Sequence, residues 1–372
     1  MRHRFILAIA GLPLVASIQP AQAQVAGEKI ANSYICVFKK GDVSRENAQA
    51  EADSAVKGGG GRLKRVYTDA LQGFVVDAPP QDVEKVKKAN PKIAYCEQDQ
   101  VVTLGLIQAS GTVSATAIQP AQVKPWGISR VRGGVTGTFA TAWVIDTGID
   151  LTHPDLNVDT ARSRSFVSGL LSANDQNGHG THVAGTIAAR NNTIGVIGVA
   201  AGARVVAVRV LDGAGSGSNS GVIAGVDYVA ANGRAGDVAN MSLGGGISSA
   251  LDSAVVSASS RGIRFALAAG NESDNANNHS PARANGPYIY TVSAFASGDK
   301  WASFSNYGNP PIDVAEPGVS IRSTWLAGGY NTISGTSMAA PHLAGILLTG
   351  GVYAGGTVIG DPDGRPDTIG VR

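Results

Sequence analysis

The segment NGHGTHVAGT, Asn177 to Thr186, sets two histidines three residues apart in a chain of 372 residues that holds only six. Imidazole is both the commonest metal ligand and the side chain best suited to proton transfer near neutral pH. A zinc-hydrolase helix spaces its two histidines four apart, with a glutamate between them, and needs a third ligand. Here Gly180 and Thr181 intervene, and no Cys or Glu lies nearby. The pair therefore reads as one catalytic base, His179, and one packed structural histidine, His182. His153 in LTHPDL and His342 in APHLAG read as structural as well.

Three further groups complete the chemistry that a base would serve. Asp146 ends the apolar run TAWVID, and Ser337 opens SGTSMAAPH. A hydroxyl becomes a nucleophile when a base lies within reach, and the base needs an acid to fix its tautomer. Asn271, just after IRFALAAG, offers a side-chain amide, and the backbone N–H of Ser337 at a helix start offers a second donor for developing negative charge. Each has a plainer role when taken singly: a turn cap, a glycine-flanked turn, a helix N-cap. Jointly they describe acyl transfer.

These groups need a scaffold that brings distant segments to one edge. From Val123 onward the apolar runs TAWVID, RVVAVRVL, DVANMSLG, IRFALAAG and YIYTVSAF alternate with helix-like GTHVAGTIAAR, SGVIAGVDYVAAN, SALDSAVVSASSR and TSMAAPHLAGILL. Near-continuous apolar strands separated by helices predict an α/β fold, a parallel sheet covered on both faces. Chemistry in such folds sits at the carboxyl ends of the strands, where Asp146 and Asn271 fall.

Residues 31–104 have a different rhythm. Strand-like SYICVFKK, helix-like GDVSRENAQAEADSAVK, a flexible GGGG at 58–61, strand-like RLKRVYTDALQGFVVDA, helical PPQDVEKVKKAN and strand-like KIAYCEQDQVV spell β-α-β-β-α-β. That is a small α+β ferredoxin-like pattern with its first and last strands side by side. Cys36 and Cys96 lie in those two strands, and either a disulfide or two separate buried thiols fits. Residues 105–120 are small and uncharged and read as a linker or processing region, leaving 121–372 as the larger domain.

The first residues, MRHRFILAIAGLPLVASIQPAQAQ, combine a basic start, an apolar stretch and Ala21-Gln22-Ala23, the pattern of a signal peptide over 1–23. Export, to the medium or a periplasm, is expected. A net charge of +2 without a dense Lys/Arg run gives no reason to expect nucleic-acid or membrane partners, and a monomer is expected.

The order Asp–His–Ser with the flanks DTGID, HGTHVAGT, MSLGGG, AAGNES and SGTSMAAPH resembles the subtilisin family of serine proteases. The resemblance covers roughly Val123 to Gly350, and the unit ahead of it resembles the family's inhibitory prodomain. It implies a secreted serine endopeptidase made as a self-processing zymogen. Asp146, His179 and Ser337 would be its triad and Asn271 its oxyanion donor. Protein or peptide substrates would add as a strand between two edges, Gly215-Ser216-Gly217 and Ser242-Leu243-Gly244, with Ala268, Ala269 and Gly270 walling an open apolar pocket. Large hydrophobic residues before the cut would suit that pocket.

The same resemblance implies a structural calcium ion held by Gln122, Asp155 and Asn192 side chains and by backbone oxygens of Arg190, Ile194 and Val196. It makes the first unit an intramolecular chaperone and inhibitor whose tail, QVVTLGL, enters the active site and is cut within residues 104–118, the matched position falling near Gly105. Met338, beside the nucleophile, would make the enzyme sensitive to peroxide. Asp361, Asp363 and Asp367 in GDPDGRPD fit either a second calcium site or, as the preferred reading, a solvated tail, and some family members carry a further helix where this chain turns glycine-rich. Two other readings compete with the peptidase: a catalytically dead relative acting as an inhibitor or binding module, and a secreted metal hydrolase using His179 and His182.

Overall fold

In the first unit each strand alternates apolar residues on two faces, and both faces find a partner. The computed structural model describes residues 25–105, 108–109 and 119–372. The expected signal peptide and most of the expected linker lie outside the described residues. The elements run β1 (Lys29–Phe38), α1 (Ala48–Gly59), β2 (Arg62–Tyr67), β3 (Gly73–Asp77), α2 (Pro80–Ala89) and β4 (Ile93–Thr103). The antiparallel sheet has the order β4-β1-β3-β2. First and last strands are neighbours, Cys36 stands opposite Cys96, and the two are joined in a disulfide.

One face of this sheet, with Cys36, Phe38, Phe74 and Val76, packs under Ala52 and Val56 of α1 and Val83 and Val86 of α2. The glycines at 58–61 are not the flexible spacer their composition predicts, because α1 runs through Gly58 and Gly59. A Cβ at Gly59 would lie 2.2 Å from the Val86 amide nitrogen, so the glycine permits α1 and α2 to touch. The reason is packing, not chain freedom.

The second unit is built on six parallel strands: β5 (Ala142–Asp146), β6 (Arg204–Arg209), β7 (Val238–Met241), β8 (Arg264–Ala268), β9 (Ile289–Ala296) and β10 (Ile312–Pro317). Their order is β10-β9-β8-β7-β5-β6. Helices α3 (His179–Ala188) and α6 (Thr336–Thr349) cover one face, packing Val183, Ile187, Met338 and Leu343 on Val144 and Ala266. Helices α4 (Asn219–Asn232) and α5 (Ser249–Ser259) cover the other, over Trp143, Ile145 and Phe265. Burial on both faces explains why these strands read as continuous apolar runs.

The C-terminal residues depart from expectation. Tyr353–Thr357 and Thr368–Val371 form an antiparallel pair, and the second strand extends the sheet beside β10. Ile369 and Val371 are buried with Phe295 and Ala315. Asp367 is therefore not part of a solvated tail. It is buried and accepts hydrogen bonds from Ser293 Oγ at 2.5 Å and Asn309 Nδ2 at 2.9 Å.

The free face of the first unit docks on α4 and α5. Ile35, Val37, Val75 and Leu71 share one core with Val222, Ile223, Ala254 and Leu251. Carboxylates hold the edges of this contact. Asp227 accepts the amides of Asp69 and Ala70, each at 2.7 Å, and that of Thr68 at 3.3 Å. Asp99 accepts the Ser220 amide at 3.0 Å where α4 begins, and Glu97 accepts the Ser249 amide at 3.1 Å where α5 begins. Negative groups at helix N-termini gain from the free N–H donors and the dipole.

Candidate active site

Beyond Gln100, β4 leaves its own sheet and becomes the middle strand of another. Val101, Val102 and Thr103 pair antiparallel with Ser218, Gly217 and Ser216 on one side. Gly245 and Gly244 pair with Val102 and Thr103 on the other. The Leu104 amide adds a bond to Gly215 O at 3.2 Å. The chain's own tail thus lies where the sequence reading places a substrate strand. After Gly105 the backbone is next described at Gln108–Ala109, paired with Ile333 and Ser334.

Asp146 and His179 meet at the carboxyl end of β5. Asp146 is the last residue of that strand and His179 the first of α3. The turn into α3 needs a glycine at 178: its φ is +109°, and a Cβ there would stand 2.3 Å from the Trp325 ring. His179 Nδ1 lies 2.8 Å from Asp146 Oδ1 and 3.0 Å from Oδ2, both residues fully buried. A carboxylate on Nδ1 holds the proton there and leaves Nε2 as the acceptor. That Nε2 is buried and makes no hydrogen bond among the described residues.

Ser337 stands in the first turn of α6, where its hydroxyl donates to Ser242 O at 3.3 Å. Acid and base are in direct contact, whereas the serine is turned to a backbone carbonyl. Ser242 precedes the edge residues Gly244 and Gly245, and its side chain points inward. Its side chain is fully buried, accepts from Asn240 Nδ2 at 2.9 Å and donates to Ser337 O at 2.9 Å, so it braces the backbone behind the serine.

Asn271 is fixed by Thr336, whose amide and hydroxyl both donate to Asn271 Oδ1, at 2.8 and 2.9 Å. With the carbonyl end so held, the Nδ2 end faces the tail: a Cβ on Gly105 would lie 3.4 Å from it. Beneath the tail is a cavity of about 350 Å³, walled by Leu243, Ala268, Ala269 and Gly270 and bordered by Asn271 and Ser337. The expected pocket residues do converge. Glu272 and His279 also line it, and sequence reasoning missed them because nothing in ESDNANNHS has a catalytic spacing.

The remaining histidines turn away from this centre. His182 Nε2 donates to Ile321 O at 2.9 Å, and burial pushes its pKa down to about 3. His342 Nδ1 lies 2.8 Å from Met338 O, with its pKa pushed by burial to about 4. His153 Nε2 lies 3.0 Å from Gly329 O. One nitrogen of each ring in HGTH is thus held by a different partner, Asp146 for His179 and the Ile321 carbonyl for His182. No group of three or more His, Cys, Asp or Glu converges among the described residues.

The loop after α3 gathers oxygens. Gln122 Nε2 lies 2.7 Å from Arg190 O, 3.2 Å from Asn192 Oδ1, 3.5 Å from Ile194 O and 3.3 Å from Val196 O. Asp155 lies beside them, accepting from Asn192 Nδ2 at 2.9 Å and Val196 N at 3.1 Å, and burial raises its pKa to about 6.

A doubly covered parallel sheet with a carboxylate–imidazole pair and a serine at its strand ends defines a hydrolase of the serine type. Residues 142–349 match the Subtilase family, and residues 33–105 match Peptidase inhibitor I9. The chain belongs to the subtilase family. Alkaline serine exoprotease A of Vibrio alginolyticus is 43% identical over 336 residues, which cover 85% of this chain and 60% of that protein. An extracellular serine proteinase of Thermus sp. is 40% identical over 354 residues, covering 90% of this chain and 84% of the other. The crystal structure of a cold-adapted subtilisin-like serine proteinase is similar with a TM-score of 0.59 at 42% identity, covering 66% of this chain and 96% of that one. The protein is thus a subtilisin-like serine protease preceded by an I9 inhibitor domain.

Proposed function

We propose that the chain is the precursor of a secreted, calcium-stabilised endopeptidase that cuts itself free of its prodomain. The observation that carries this is the seat of Val101–Thr103 between the Ser216–Ser218 and Gly244–Gly245 edges. It is an extended peptide bound by main-chain pairing, with Gly105 delivered beside Asn271. Main-chain recognition of this kind suits many protein substrates.

In the reaction, Ser337 Oγ leaves the Ser242 carbonyl by rotation about its Cα–Cβ bond and gives its proton to His179 Nε2. Asp146 stabilises the imidazolium that results. The oxygen of the attacked carbonyl gains negative charge, and the Ser337 amide and Asn271 Nδ2 donate hydrogen bonds to it. His179 then protonates the leaving amine, and water attacks the acyl-enzyme by the same route. Self-cleavage near Gly105 would leave the prodomain bound as an inhibitor through its docked face and tail. The basic-apolar pattern of residues 1–23 and the extracellular Thermus relative support export.

The 190s loop supplies a donor set that fits calcium. Four oxygens converge on the Gln122 amide, whose oxygen and nitrogen exchange places by rotation. Turned over, Gln122 would join Asp155, Asn192 and the carbonyls of Arg190, Ile194 and Val196 in an all-oxygen shell. A cation there supplies no chemistry to the reaction; it ties the start of the domain to the loop after α3.

Casein hydrolysis by the processed protein, abolished by a phosphonyl fluoride and insensitive to zinc chelation, is the expected result. No hydrolysis by correctly processed protein would sink the peptidase, and loss only on zinc removal would favour a metal hydrolase. The Ser337→Ala chain should stay joined to its prodomain, and its normal maturation in isolation would contradict self-cleavage. A calcium chelator should lower the melting temperature of the processed enzyme and added calcium restore it; an unchanged temperature would remove calcium from the proposal.

A further inference from the structure

The chain leading into β1 runs along the active-site cleft before it joins the first unit. Gly27 N donates to Val101 O at 2.9 Å, Val101 N donates to Glu28 O at 2.9 Å, and Lys29 stands opposite Gln100. In an antiparallel strand alternate residues bond to the same neighbour, and on this side of β4 Gly244 is the partner of Thr103. The strand beside the tail is thus made of two pieces laid end to end, one from the catalytic domain and one from the start of the prodomain. Their junction is close: a Cβ on Gly27 would lie 3.3 Å from Gly246 N, and a Cβ on Gly246 would lie 3.2 Å from Gly27 Cα. Gln100 Nε2 fastens the same corner by donating to Ile247 O at 2.9 Å. Ahead of the junction, Val25 and Ala26 stand with Gly244, Gly245 and Gly246 around the cavity beneath the tail.

Resting on the peptidase reading, we infer that Val25–Lys29 is a strap that keeps the severed prodomain in the cleft. The Gly244–Gly245 edge reaches only as far as Val102, and the strap carries the ladder on past Val101, so the cut tail cannot peel away from its upstream end. A peptide substrate brings no such second strand. At the position of Val101 it has only the Ser216–Ser218 edge to pair with. Strap and tail belong to one folded unit, so the extra bonds are pre-organised and cost little ordering on binding. The strap therefore tilts the competition for the cleft toward the prodomain. Gly27 permits it, because its φ of +81° is a conformation that side chains resist.

Two changes test this in the full precursor: starting the exported chain at Lys29, and Gly27→Val, which leaves the leader junction as it is. Both alterations depart with the prodomain, so the processed enzyme is identical in every case. Precursor cleavage is followed by gel, and the lag before hydrolysis of a peptide anilide is followed in dilute samples. Cleavage should keep pace with the parent, while the lag should shorten about tenfold, the order expected for losing two main-chain hydrogen bonds. Hydrogen exchange on precursors carrying Ser337→Ala gives a readout free of cleavage. There the Val101 amide should exchange faster in both variants, and the Leu104 amide, held by Gly215 O, should not. If the shortened chain fails to process, the Gly27→Val chain decides. A lag that does not shorten despite normal processing, or an unchanged Val101 amide, overturns the inference while the peptidase reading stands. A parent precursor that neither processes nor cleaves the anilide overturns the peptidase reading and this inference with it.

Discussion

Replacing His182 by glutamine should flatten the acid sensitivity of the fold. The ring is fully buried, its Nε2–H is spent on Ile321 O, and Nδ1 has no partner among the described residues. A second proton would put a full charge in a dry site, and that loss of hydration outweighs the nearby backbone carbonyls and takes the pKa down to about 3. In the unfolded chain the same ring titrates near 6.5. The folded pKa lies below the unfolded one, so the unfolded state binds the proton first. The cost is absent above about pH 6.5 and grows by about 1.4 kcal/mol per unit as pH falls toward the folded value. Between pH 7.5 and pH 5.0 the ring spans about 1.5 such units, or about 2 kcal/mol. The assay is urea unfolding of the Ser337→Ala chain, which cannot digest itself, with and without His182→Gln. The parent should lose about 2 kcal/mol more than the variant between the two pH values, whatever the substitution costs at pH 7.5. Equal losses would refute the assignment of His182 as a neutral packed ring.

Other consequences follow from the same geometry. Asn271→Asp replaces a donor by a charge that repels the oxyanion; kcat on a peptide anilide should fall by roughly two to three orders of magnitude, the loss typical of such donors in related enzymes, with KM little changed. Asp227→Ala removes the acceptor of three prodomain amides. It should weaken prodomain inhibition by about 2 kcal/mol, roughly thirtyfold, read as faster activation of the processed complex. Both cysteines of the chain are in the inhibitor unit, so a reductant leaves the catalytic domain untouched. Opening the Cys36–Cys96 bridge, which spans 60 residues, should destabilise the prodomain by about 4 kcal/mol in the chain-entropy account and speed its release. An activation rate unchanged by reductant, with two free thiols detected, would count against that.

Asp146, His179, Ser337 and Asn271 could be singled out from the sequence because each lies inside a short local motif at a predictable end of an element. Asp146 ends an apolar run, His179 and Ser337 open helices, and the contact between Asp146 and His179 follows from a strand and a helix meeting at the carboxyl edge of the parallel sheet. The oxygen-rich loop was legible for the same reason. The bracing role of the Ser242 side chain was not legible, because a strand-end motif names the backbone edge but not the side on which a side chain falls. Glu97, Asp99 and Asp227 were missed because their partners are 120 or more residues away. Nothing in IAYCEQDQ distinguishes two helix-capping carboxylates from ordinary strand-end charges.

Local sequence determined the two units, the parallel sheet with its helices, and the identity of the acid, base, hydroxyl and amide. These depend on hydrophobic periodicity and on turns, which act over a few residues. Tertiary structure decided whether Cys36 and Cys96 meet, that the Gly58–Gly59 pair is a packing contact, and that Asp367 is buried. It also decided that His182 and His342 are dry while His179 faces a carboxylate, and that Glu272 and His279 stand at the mouth of the pocket. Each of these is set by what a residue touches across the fold, and desolvation and long-range pairing leave no trace in local spacing.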